Sequence, residues 1–99
     1  MEIADWRNRI DRVNRELLEL LNRRTGFARE IGALKRSQGL PVRDAAREKE
    51  LLDALVAGNP GPLPDASVER IFRTIIEETV AYEESLQTGE EGGKNGGGK

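Results

Sequence analysis

The stretch IADWRNRIDRVNRELLELLNRRTGFAREIGALKRS, Ile3 to Ser37, decides the fold. Read in sevens, one position holds Ile3, Ile10, Leu17, Arg24 and Ile31. The position three residues later holds Trp6, Val13, Leu20, Phe27 and Leu34. This is a heptad seam, and Arg24 is its one exception. A flanking column holds Arg7, Asn14, Leu21, Ala28 and Lys35, so Arg7 and Lys35 border the same face. No Pro interrupts the run, which predicts one helix of about 50 Å at about 1.5 Å per residue. A compact domain of this size is only about 25–30 Å across, twice a radius of gyration of about 13 Å. The chain therefore forms either an extended antiparallel bundle or a bundle in which a second copy covers the seam, and the second copy is favoured.

Outward from this helix, Asp5 reads as its N-cap, with Glu2 and Ile3 able to extend it. Gly39 suits the left-handed stop, and Lys35 and Arg36 complement the dipole in the last turn. Pro41 disfavours helix at Leu40. Asp44 then caps a second helix over about 45–57, whose inner face runs Asp44, Glu48, Leu51, Leu55. Gly58 to Pro64 is a break. Asp65 caps a third helix, from about Ala66 to Gln87, with the seam Val68, Phe72, Ile75, Thr79, Tyr82, Leu86. The expected class is all-α, one long helix and two shorter ones in an intertwined homodimeric bundle. Residues 1–87 form the domain, and the Gly-rich residues 88–99 read as a disordered tail or a linker.

Composition narrows the chemistry. The chain has 99 residues, enough for one small domain, with 36% apolar and 34% charged residues. That balance suits a narrow helical core completed by a partner. A net charge of −2 gives no case for nucleic acid or an anionic membrane. Without Cys or His there are no disulfides, no usual zinc sites and no His-based triads. Neither a spanning apolar run nor a secretion signal is visible, so the expected compartment is cytoplasmic.

Each helix breaks its apolar pattern with polar groups: Arg24 and Lys35, with Arg7, in the first; Asp44, Arg47 and Glu48 in the second; Thr79 and Glu83 in the third. Taken singly, each has an ordinary structural reading. Arg24 is then a register device paired with Glu48, Lys35 a snorkelling end residue, and Asp44 an N-cap. Arg47 and Glu48 are solvated, Thr79 is a tolerated core hydroxyl and Glu83 faces water. Taken together, they bring cations and acceptors from every helix to one interior. Burying an unpaired charge costs several kcal/mol even after relaxation, roughly the loss of a core side chain. Such groups persist by pairing with one another or with a ligand. Fixed cations with carboxylates, and no nucleophile beside a base, suit a small polyanion and catalysis by positioning and electrostatics.

Four blocks carry a resemblance. They are Arg7-x-x-Ile10-Asp11-x-x-Asn14-x-x-Leu17-Leu18-x-Leu20-Leu21-x-x-Arg24; Ile31-Gly32-x-x-Lys35; Pro41-Val42-Arg43-Asp44-x-x-Arg47-Glu48-x-x-Leu51-Leu52; and Ile71-Phe72-x-x-Ile75-Ile76-Glu77-x-x-Val80. In this order and spacing, Trp6 to Gln87 resembles the all-α chorismate mutases of the AroQ class. The resemblance implies an intertwined homodimer with two sites, each built from both chains. It also implies the cofactor-free Claisen [3,3] rearrangement of chorismate to prephenate in aromatic amino acid biosynthesis.

Carried over, it implies that Arg24 binds a substrate carboxylate and that Arg7 does so from the other chain. Lys35 would contact a carboxylate and donate to the ether oxygen. Asp44, through its backbone, and Glu48 would hold the ring hydroxyl. Arg47 lies at the family's pocket position, and Thr79 stands near the ring carboxylate where Ser is frequent. Glu83 stands where many members have Gln as a donor to the ether oxygen, and only a protonated Glu can donate. The catalytic residues are thus Arg24, Lys35 and Glu83.

Two other readings stand beside this one. Isochorismate-pyruvate lyases share the fold but lack the Val42 to Glu48 pattern. A non-catalytic helical dimerisation module would tolerate apolar replacements at Arg24 and Lys35. The tail fits a linker to a fused or associated shikimate-pathway enzyme.

Overall fold

In the computed structural model, which describes residues 1–87, three helices follow in the order α1 (Ile3–Gln38), α2 (Ala45–Ala57) and α3 (Asp65–Gln87). The tail at residues 88–99 lies outside the described residues.

The ends of the helices follow local chemistry. At the start of α1 the N-cap is Glu2, not Asp5. Asp5 sits one turn in, and its carboxylate accepts from the Glu2 backbone N–H at 2.8 Å. This satisfies a free N–H in the reverse direction to the one expected, and it starts the helix earlier. At the other end Gly39 takes a left-handed φ of 71°, and the Leu40 N–H closes onto the Lys35 carbonyl at 2.8 Å. Asp44 caps α2 as expected, its side chain accepting from the Arg47 N–H at 3.0 Å.

Asp65 is the first residue of α3 rather than its cap. The Pro64 carbonyl takes the Ser67 and Val68 N–H groups, and the Asp65 carboxylate is held by the Asn59 amide at 2.8 Å. Asn59 also donates to the Leu63 carbonyl and accepts from the Gly61 N–H, which pins the connection between α2 and α3.

The core is small. Val42, Leu52, Ile76 and Val80 are buried together, with Leu51 and Phe72 packed against them. It lies between α2, α3 and the strap from α1 to α2. α1 packs on α3 but contributes only one buried residue, Gly32. Its seam stays bare in the single chain: Ile3, Trp6, Ile10, Val13, Leu17, Leu20, Phe27, Ile31 and Leu34 are each 51–68% exposed.

The molecule measures 54 × 35 × 16 Å with a radius of gyration of 16.4 Å. A globular domain of this length would have a radius near about 13 Å. One chain is thus an open layer, as the overlong first helix predicts.

Candidate active site

Side chains from α1, α2 and α3 line a half-open cavity of about 270 Å³. Its apolar walls include Phe27, Ile31, Val42, Leu51, Ile76 and Val80. Into it come Arg24 and Lys35 from α1, Asp44, Arg47 and Glu48 from the start of α2, and Thr79 and Glu83 from α3. Every sequence-predicted site residue except Arg7 borders this space. Arg7 lies on α1 about 25 Å before Arg24, at about 1.5 Å per residue. The chain's own fold does not bring it to the cavity.

The polar groups are already oriented. Arg24 Nη1 donates to Thr79 Oγ1 at 2.8 Å, and Thr79 Oγ1 donates to the Ile75 carbonyl at 2.8 Å. The single hydroxyl proton is therefore committed to the helix backbone, and the oxygen serves as an acceptor that holds the guanidinium. The pairing of Arg24 with Glu48, expected of a register device, is not formed. Glu48 is taken instead by Arg43, at 2.9 and 3.2 Å. Lys35 Nζ donates to the Val42 carbonyl at 2.6 Å, which ties the end of α1 to the strap. Arg47 borders the cavity but pairs outward with Glu50 at 3.0 Å, and both side chains are largely solvated.

Glu83 does not face water. It is 5% exposed and is the buried charged residue among those described. Burial pushes its carboxyl above the ordinary range, and the positive charges of Lys35, Arg24 and Arg36 oppose that rise. A carboxyl that favours its proton can donate a hydrogen bond as well as accept one.

The family described as chorismate mutase type II matches residues 6–84. The chain belongs to the chorismate mutase type II family. It is similar to the bifunctional chorismate mutase/prephenate dehydratase of Neisseria gonorrhoeae, at 42% identity over 82 residues, covering 81% of this chain and 22% of that protein. The chain therefore spans about a fifth of the length of that bifunctional relative. It is also similar to the chorismate mutase of Methanocaldococcus jannaschii, at 26% identity, covering 83% of this chain and 84% of that one. Among solved structures, chorismate mutase (Form II) from Thermus thermophilus superposes with a TM-score of 0.82 at 44% identity, covering 83% of this chain and 93% of that one. The all-α, three-helix chorismate mutase fold is thus shown, and no helix among the described residues is long and apolar enough to cross a membrane.

Two features of this chorismate mutase domain escaped the sequence. Arg43 sits inside the third sequence block, yet residue type alone gave it no role. In the fold it clamps Glu48 on α2 to Glu77 on α3, the latter at 2.6 Å. Gly32 lies in the second block and meets Glu83 directly. The pattern of a helical Gly four residues after Ala28 and three before Lys35 was the available signal.

Proposed function

We propose that the chain catalyses the rearrangement of chorismate to prephenate at this cavity. One observation carries the reading: two cations from α1 and a buried carboxyl from α3 converge on a single apolar-walled space. The reaction is intramolecular. A C–O bond breaks while a C–C bond forms, and no proton, electron or group leaves the substrate. The breaking bond places partial negative charge on the ether oxygen. Fixed donors aimed at that oxygen are what lower the barrier.

Arg24 binds one substrate carboxylate through its planar fork, held in place by Thr79. Lys35 contacts a carboxylate and donates to the ether oxygen. Glu48 and the backbone of Asp44 hold the ring hydroxyl, with Arg43 fixing the Glu48 carboxylate. Arg47 borders the open side of the pocket. Thr79 stands next to the ring carboxylate but acts chiefly through Arg24. Glu83, protonated, is the second donor to the ether oxygen.

Arg7 reaches the site from a second copy of the chain. The bare seam of α1 supports this, because another α1 offers a surface of matching length and pattern. The homodimer then has two sites, each completed by its partner. A cytoplasmic location, and a second shikimate-pathway activity in the same polypeptide, are carried by the family resemblance and the bifunctional relatives, not by the fold.

Incubation of the protein with chorismate should give loss of chorismate absorbance matched by prephenate. Isochorismate, offered separately, should be left unchanged. Release of pyruvate from isochorismate with chorismate untouched would replace this reading by the lyase.

The Glu83 proton gives the activity a pH signature. Burial raises the folded-state pKa above its usual value of 4.5. As pH rises through that raised value the donor is lost, so kcat/KM falls with rising pH. Stability follows the same sign: the folded state favours the protonated carboxyl, and that contribution is present at low pH and lost as pH rises through the folded pKa. Glu83→Gln keeps a donor at every pH, and its profile should be flat where the parent falls. Parallel pH profiles for the two proteins would show that Glu83 is not the titrating donor.

A further inference from the structure

We propose that Gly32 is a positioning residue for Glu83: by carrying no side chain it lets the α3 carboxyl seat against the bare backbone of α1. This deepens the proposed mutase reading, on which only its activity readout rests.

Two singular features of the fold meet here. Gly32 is the buried residue of α1, and Glu83 is the buried charged residue among those described. A Cβ placed on Gly32 would lie 3.1 Å from Glu83 Oε2 and 3.6 Å from both Cδ and Cγ, and these are its three nearest neighbours. An interior helical Gly is unfavourable relative to Ala, and at Gly32 the contact a Cβ would make with Glu83 supplies a reason for it. Gly26 provides the contrast within the same helix, because a Cβ there would meet nothing within 4 Å.

A Cβ at position 32 is tighter against Glu83 than ordinary van der Waals contact, so the carboxyl must give by a few tenths of an ångström. The open direction is the cavity that Glu83 already borders. The charged groups on that side are Lys35 and Arg24 from α1, with Arg36 beyond, and Asp44, Arg47 and Glu48 from α2. A carboxyl pushed that way packs less closely on the wall that desolvates it and shifts toward the side that Lys35 and Arg24 border. Both changes favour its ionised form.

Thermal unfolding and pH–rate profiles of the full chain test this in four variants: Gly32→Ala, Gly26→Ala, Glu83→Ala and the Gly32→Ala/Glu83→Ala pair. Gly26→Ala should raise the melting temperature and leave activity as it was. Gly32→Ala should lower the melting temperature in the parent but raise it in the Glu83→Ala background, where the opposing carboxyl is gone. If Gly32→Ala alone does not fold, the paired variant must. In activity, Gly32→Ala should reduce kcat more than it raises KM, and move the fall in kcat/KM to lower pH.

Stabilisation by Gly32→Ala in the parent, or destabilisation that persists without the Glu83 side chain, would overturn the seating. The stability arm stands apart from the chemistry. Reversal of sign in protein with no mutase activity upholds the seating and sinks the proposed reaction, whereas activity without reversal sinks the seating alone.

Discussion

Arg24→Ala is expected to lower kcat/KM for chorismate by about 10³-fold, which is about 4 kcal/mol of transition-state stabilisation. Arg24 is the one cation placed on the heptad seam itself, where every equivalent position is apolar. Its guanidinium is held by Thr79 at 2.8 Å, so its orientation is set before substrate arrives. A planar fork matched to a carboxylate cannot be replaced by water or by a point charge, and Arg24→Lys should recover only part of the loss. Stability should move the other way. An unliganded cation against an apolar wall is a cost to the fold, so the Ala variant should melt at the same temperature or higher. Loss of turnover with retained stability is the signature of a group kept for its ligand. A dimerisation module would tolerate the change without loss of function.

Leu20→Asp is expected to be the most damaging change to structure. In an isolated chain Leu20 is 52% exposed, and a polar replacement at such a site costs about 0.5 kcal/mol or less. If a second α1 covers the seam, the same change places a carboxylate at a buried apolar contact. It then costs about 3–5 kcal/mol for each chain, with two such sites in a symmetric dimer. The variant should run as a monomer in sedimentation at micromolar concentration, lose much of its helical circular dichroism, and lose activity. Unchanged mass and helicity would mean that the seam is not an interface.

The fold was legible wherever one periodicity ran long. The heptads of α1, its stop at Gly39, the strap around Pro41 and the cap at Asp44 all stand where the residues place them. Misplaced details concern which partner a short polar side chain chooses. Asp5 and Asp65 both read as N-caps, yet Asp5 serves Glu2 from inside the helix and Asp65 is held by Asn59. A carboxylate near a helix start suits either arrangement, and only the path of the preceding residues decides.

The site was legible because polar residues interrupt apolar faces on all three helices, and Arg24, Lys35, Asp44, Arg47, Glu48, Thr79 and Glu83 do border one cavity. What the sequence concealed was their secondary partners. Arg43 lies on a connection, where an Arg is ordinarily solvated, so its bridge from Glu48 to Glu77 depends on how α2 and α3 approach. Gly32 has no side chain to interrupt a pattern, and its meaning appears only when Glu83 is set against it.

The proposed site takes Arg24 from one chain and Arg7 from its partner, and subunit complementation tests this most directly. Arg7→Ala and Arg24→Ala proteins, each inactive alone, are unfolded together, refolded and assayed with chorismate. Random pairing makes half of the dimers mixed, and each mixed dimer carries one site with both arginines intact. Activity should rise to about a quarter of that of the parent protein, the value required when the two residues belong to opposite chains of a symmetric pair. A mixture no more active than its separate components would contradict the shared site.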